Sequence, residues 1–164
     1  MITNNQLQFL REKIQEIGSA IFFNLSDSVL KLPTSIVTTL QVDDYGFVWF
    51  LVQKPKQYLR EFETEFPARL DFFKKGINCF LQVSGKAWVV SDPEEMNALE
   101  SLPETVKELA AGEGDMVLVK VKMLRAEYHE TQTRVPNSRW HNAVTNMFTW
   151  FRTGYKNSTY YPVS

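Results

Sequence analysis

The run INCFLQVSGKAWVV, residues 77–90, is apolar enough to be a long strand, yet Gly85 lies inside it. A glycine within a strand packs no side chain, so it marks a bulge or a sharp bend. Small barrels need such bends to close their sheet. A chain built around this run is therefore expected to curl its strands into a barrel.

The neighbouring segments support an antiparallel sheet. AIFFNL (20–25) is a short apolar run, and TSIVTTLQV (34–42) is rich in β-branched residues. DDYG (43–46) is a turn and FVWFLV (47–52) the return strand of a hairpin. RLDFF (69–73) is a strand followed by the turn KKG (74–76). DMVLVKVKMLRAEYH (115–129) is a long strand with Val117, Val119, Val121 and Met123 on one face. Lys120 and Lys122 fall on the other face, so part of that face should be wet.

Helices flank these strands. Thr3 and Gln6 form a capping box for a helix over 4–17, with the stripe Leu7, Leu10, Ile14 and Ile17 and a stop at Gly18. Pro55 opens a second helix whose stripe of Tyr58, Leu59, Phe62 and Phe66 ends at Pro67. Ser91 or Asp92 caps a third, with Glu94 and Glu95 in its first turn. LPETVKELAAG, ending at Gly112, is a fourth. NSRWHNAVTNMFTWFRTG is a capped amphipathic C-terminal helix, with Trp140, Ala143, Val144, Met147, Phe148 and Phe151 along one side. The expected fold class is mainly β (α+β): a small closed or split barrel with peripheral helices, in one domain over residues 1–164.

Composition removes several functions. The 164 residues carry 18 basic and 19 acidic side chains, a net charge of -1, which gives no support to a nucleic-acid partner. No run approaches the roughly 18 apolar residues of a membrane span. The start MITNNQLQFLREK has no basic segment leading into an apolar one, so no signal peptide is expected and the cytoplasm is the expected compartment. Cys79 is the single cysteine, so an intramolecular disulfide is impossible, and it reads as a small buried hydrophobe.

Self-sufficient catalytic motifs are missing as well. The sequence has no glycine-rich phosphate loop, no H-E-x-x-H and no G-x-S-x-G elbow around Ser84. His129 and His141 are the only histidines, and no metal site is expected. If this chain does chemistry, a cofactor supplies the hard part. One stretch invites an anion: VWFLVQKPK (48–56) ends a strand in Gln53, Lys54, Pro55 and Lys56. The predicted helix N-terminus there offers free N–H groups and a dipole that disfavours cations unless something negative lies beside them.

The pieces DDYGFVWF, VSGKAWVVSD and VKVKMLRAEYHE, in this order and spacing, resemble the pyridoxamine 5'-phosphate oxidase-like, FMN-binding split-barrel superfamily, and within it the bacterial general stress protein branch. The resemblance covers roughly residues 3–130. It implies a six-stranded split barrel that forms a homodimer, with two FMN molecules in the interface. By position it assigns flavin binding to Thr34, Ser35, Ile36, Val37, Leu51, Val52, Gln53, Lys54 and Lys56. Thr34 and Ser35 stand where the family carries an arginine, QKPKQY replaces its serine-x-lysine, and His129 occupies the place of its usual tryptophan. Three readings follow. The first is a flavin-dependent oxidoreductase of unknown substrate linked to stress response. The second is a non-enzymatic dimer that has lost the flavin. The third is a binder of another planar ligand such as haem, with His129 or His141 as axial ligand.

Overall fold

A computed structural model describes residues 2–29, 31–55, 65–90, 92–97, 103, 104, 106, 108 and 115–130. The first helix, α1 (Asn4–Ile17), starts at the expected capping box. The Thr3 backbone N–H donates to Gln6 Oε1 (2.9 Å) and the Gln6 N–H to Thr3 Oγ1 (3.3 Å). Gly18 ends it in the left-handed region (φ 78), a conformation cheap only for glycine. Leu10, Ile14 and Ile17 are buried in the main core.

Six strands follow: β1 (Ser19–Asn24), β2 (Ser35–Val42), β3 (Phe47–Gln53), β4 (Phe66–Phe73), β5 (Cys79–Val90) and β6 (Met116–Glu130). Each neighbouring pair is antiparallel, and they close into a barrel in the order β1-β2-β3-β6-β5-β4. The interior holds Phe22, Phe50 and Phe72, all fully buried, with the Phe22 and Phe50 rings 5.2 Å apart. Cys79 is a free, buried thiol at the start of β5.

The bend expected at Gly85 is present. The β5–β6 register shifts between Ser84 and Gly85: Ser84 pairs with Arg125 but Gly85 with Met123, leaving Leu124 as the extra residue of a bulge. This reverses the alternation along β6. Val117, Val119, Val121 and Met123 face the core before the bulge; Ala126 and Tyr128 do so after it.

Two expectations need correction. Phe66 and Pro67 do not close a helix; they begin β4, with Phe66 buried in the barrel. Proline is tolerated there because β1 pairs with β4 only as far as Asn24↔Ala68. The missing N–H thus falls where the β1 ladder has ended, while the Pro67 carbonyl still accepts from the Leu25 N–H (2.9 Å). The outer face of β6 is also drier than expected. Leu118 is buried in a second apolar cluster with Trp49, Val90 and Met96 of α2 (Pro93–Asn97). Asp92 caps α2, its carboxylate accepting from the Glu94 N–H (2.9 Å). The rest of the predicted helix after Pro55, Ser91, most of the LPETVKELAAG segment and the C-terminal amphipathic helix lie outside the described residues. Among the described residues, no helix is long and apolar enough to cross a membrane.

The β2–β3 turn is held by one carboxylate. Asp43 Oδ1 accepts from the N–H groups of Tyr45 and Phe47, and Oδ2 from the Trp49 indole, each at 2.9 Å. Gly46 (φ 80) completes the turn. Asp43→Ala should cost about 2–3 kcal/mol, because it leaves three donors short of a partner. Urea unfolding of the two proteins checks this, and an unchanged midpoint would contradict it.

Candidate functional site

Because β2 and β3 are antiparallel, the N-terminal end of β2 and the C-terminal end of β3 lie at the same end of their hairpin. This places Thr34, Ser35, Ile36, Gln53 and Lys54 at that end, beyond Thr39 and Phe50, the last residues paired between the two strands. Their orientations differ. Ile36 projects outward and is 81% exposed, while Thr34, Gln53 and Lys54 are also exposed. Ser35 points the other way: its Oγ is buried and has no hydrogen-bond partner. Val37 and Val52 belong to the barrel core, so only their backbone can face a ligand. Leu51 packs against the second apolar cluster. The Lys54 N–H donates to the Asp115 carbonyl (2.5 Å), which extends the β3–β6 ladder and leaves only the side chain for an anion. Lys56 lies outside the described residues.

A phosphate needs donors, and an orphaned buried hydroxyl is a donor in waiting. Ser35 Oγ, the Thr34 hydroxyl and the Lys54 ammonium therefore fit a phosphate-bearing cofactor at this strand end.

A concavity of about 350 Å³ lies at the opposite end of the hairpin. Asp43, Tyr45, Phe47, Trp49, Glu95 and Lys120 line it. Lys120 pairs with Glu95, and its Nζ sits 5.3, 5.4 and 6.0 Å from the ring centres of Phe47, Trp49 and Trp88. Burial pulls the Lys120 pKa down, with the Asp43 charge opposing it. The protein's own lysine thus fills this aromatic cage, which ties the turn to α2. Sequence reading saw only a turn and a wet face here, because the cage forms from three strands and a helix far apart in the chain.

His129 stands on the outer face, its ring 6.2 Å from that of Phe80 and its Nε2 4.0 Å from Glu127 Oε2. Among the described residues, no group of three or more His, Cys, Asp or Glu side chains could hold a metal ion.

No protein-family model matches the sequence, and no curated protein matches it either. Solved structures do match in shape. A general stress family protein from Xanthomonas campestris pv. campestris superposes with a TM-score of 0.60 at 16% identity, covering 84% of this chain and 96% of that one. A Clostridium acetobutylicum protein related to general stress protein 26 of Bacillus subtilis, of the pyridoxinephosphate oxidase family, gives 0.58 at 11% identity over 79% and 91%. The general stress FMN/FAD binding protein of Xanthomonas citri gives 0.57 at 18% identity over 81% and 93%. The fold is that of the general stress protein split barrels. In such a barrel the bulge at Gly85 and Leu124 bends the two longest strands together.

Proposed function

We propose that this split barrel binds FMN at the Thr34–Lys54 end of the β2–β3 hairpin and works as a flavin-dependent oxidoreductase in a stress response, in the cytoplasm. The observation that carries the reading is the buried, partnerless Ser35 hydroxyl at the same hairpin end as Lys54. The description of the Xanthomonas citri relative as an FMN/FAD binding protein adds support. When bound, a flavin accepts and donates electrons in pairs or singly. The chain's own part is to hold the phosphate through Thr34, Ser35, Lys54 and Lys56, and to offer Ile36 and Gln53 beside the ring.

Each charge-assisted hydrogen bond is worth roughly 1.5–3 kcal/mol, and less where water reaches it. Changing Lys54 and Lys56 together to alanine should therefore weaken FMN binding about 30- to 1,000-fold. Riboflavin has no phosphate, so its weaker binding should barely move. Fluorescence titration of wild type and variant with both ligands tests this. Equal losses for both ligands would mean that the lysines support the fold and hold no phosphate.

One observation favours a second reading, a homodimeric barrel without flavin. Thr34 and Ser35 provide no fixed positive charge where the resembled family has an arginine. Wild-type protein that binds neither FMN nor riboflavin would select it.

A further inference from the structure

The strand registers set Lys120 of β6 between two tryptophans, Trp49 on β3 and Trp88 on β5. Phe47, opposite Lys122 in the next row, brings a third ring to the Lys120 ammonium. The Lys120 side chain is only 18% exposed, and its Nζ donates to Glu95 Oε1 of α2. Asp43 adds a second negative charge nearby. Its two oxygens already accept from two backbone N–H groups and the Trp49 indole, so it is a fixed charge. Glu95, 37% exposed, is the carboxylate placed to exchange a proton with the amine.

This lysine faces room for a ligand. The concavity of about 350 Å³ opens onto it and has Tyr45, Phe47 and Trp49 among its walls. Ligand sites start at roughly 300 Å³. A lysine ammonium is strongly hydrated, so a dry pocket favours loss of its proton and exposes the nucleophilic amine. The lowered Lys120 pKa, caused by burial, agrees with this. Lys122 is the contrast: it lies 5.0 Å from the Phe47 ring and pairs with the Tyr45 carbonyl at the surface.

We infer that Lys120 captures a neutral aromatic aldehyde as a reversible imine. Glu95 takes a proton from the ammonium, and the free amine attacks the aldehyde carbon. The C–N bond forms, and the carbonyl oxygen leaves as water with two of the three ammonium hydrogens. The third hydrogen stays on nitrogen. The protonated imine thus carries the same single positive charge, and the rings and Glu95 that stabilise the ammonium stabilise it as well. An aromatic substituent matches the walls. Asp43, Asp44 and Glu95 line the concavity against one lysine, which disfavours an anionic aldehyde. The site lies at the opposite end of the hairpin from the proposed flavin site and does not rest on it.

Benzaldehyde with cyanoborohydride tests this on the full chain, since hydride adds to the imine carbon and leaves a permanent benzyl amine. Peptide mass spectrometry locates the label. Lys120 should be labelled ahead of Lys122, and its rate should saturate with benzaldehyde concentration. Acetaldehyde, which has no ring, should show no saturation at Lys120. Tyr45→Ala removes an exposed wall and should raise the half-saturating benzaldehyde concentration about 2- to 10-fold. Lys120→Arg keeps the charge but forms no imine, so the saturable labelling should vanish while Lys122 still reacts. Should that variant fail to fold, the wild-type peptide map decides alone. Labelling of Lys120 no faster than Lys122, or rising linearly with benzaldehyde, would overturn the inference. Equal saturation by acetaldehyde would overturn it too.

Discussion

Gly85→Ala should destabilise the protein by about 3–5 kcal/mol, near the upper end of what single substitutions do. A Cβ at this position would sit 1.8 Å from the Lys122 carbonyl oxygen and 2.9 Å from its carbon. Both are backbone atoms in the middle of the longest strand pair, so no rotamer change relieves the clash. The two strands must part, and with them the bulge that lets β6 change faces. Gly76→Ala is the control. Gly76 has a positive φ of 90, but a Cβ there meets nothing within 4 Å. Its cost is conformational, about 1 kcal/mol. Urea unfolding of the three proteins should separate them clearly. Equal midpoints for the two alanine variants would mean that close strand approach is not what Gly85 provides.

Phe50→Ala should cost a comparable 3–5 kcal/mol for a different reason. The ring is fully buried on β3 and packs against Phe22 of β1 across the barrel interior. Deleting it loses transfer free energy and leaves a cavity among strands whose ladders resist collapse. The thermal midpoint should fall well below that of wild type. A shift of only a degree or two would show that the interior repacks freely and is not the ordered core described above.

Much of this architecture was legible in the sequence. The Thr3–Gln6 box, Gly18, the DDYG turn and the interior Gly85 each announce a local geometry that admits few residues, and each appears as expected. What was not legible depends on distant partners. Strict alternation from Val117 would turn Arg125, Glu127 and His129 into the core; the extra residue at Leu124 sends them out, and only the pairing with β5 reveals it. Pro67 reads as a helix terminator until the end of β1 shows that its missing donor has no ladder to break.

The candidate site divides in the same way. Position along the hairpin brought Thr34, Ser35, Gln53 and Lys54 to one end, which a sequence pattern can suggest. That Val37 and Val52 point into the core, while Ser35 buries an unpaired hydroxyl, depends on the twist and register of the closed barrel.

FMN binding, as proposed, has one direct test. Purified protein should be mixed with excess FMN, passed through gel filtration and examined by visible absorption. Flavin bands should travel with the protein at one flavin per chain, with far less retained after riboflavin. Protein that emerges colourless, or that retains riboflavin as well as FMN, would contradict it.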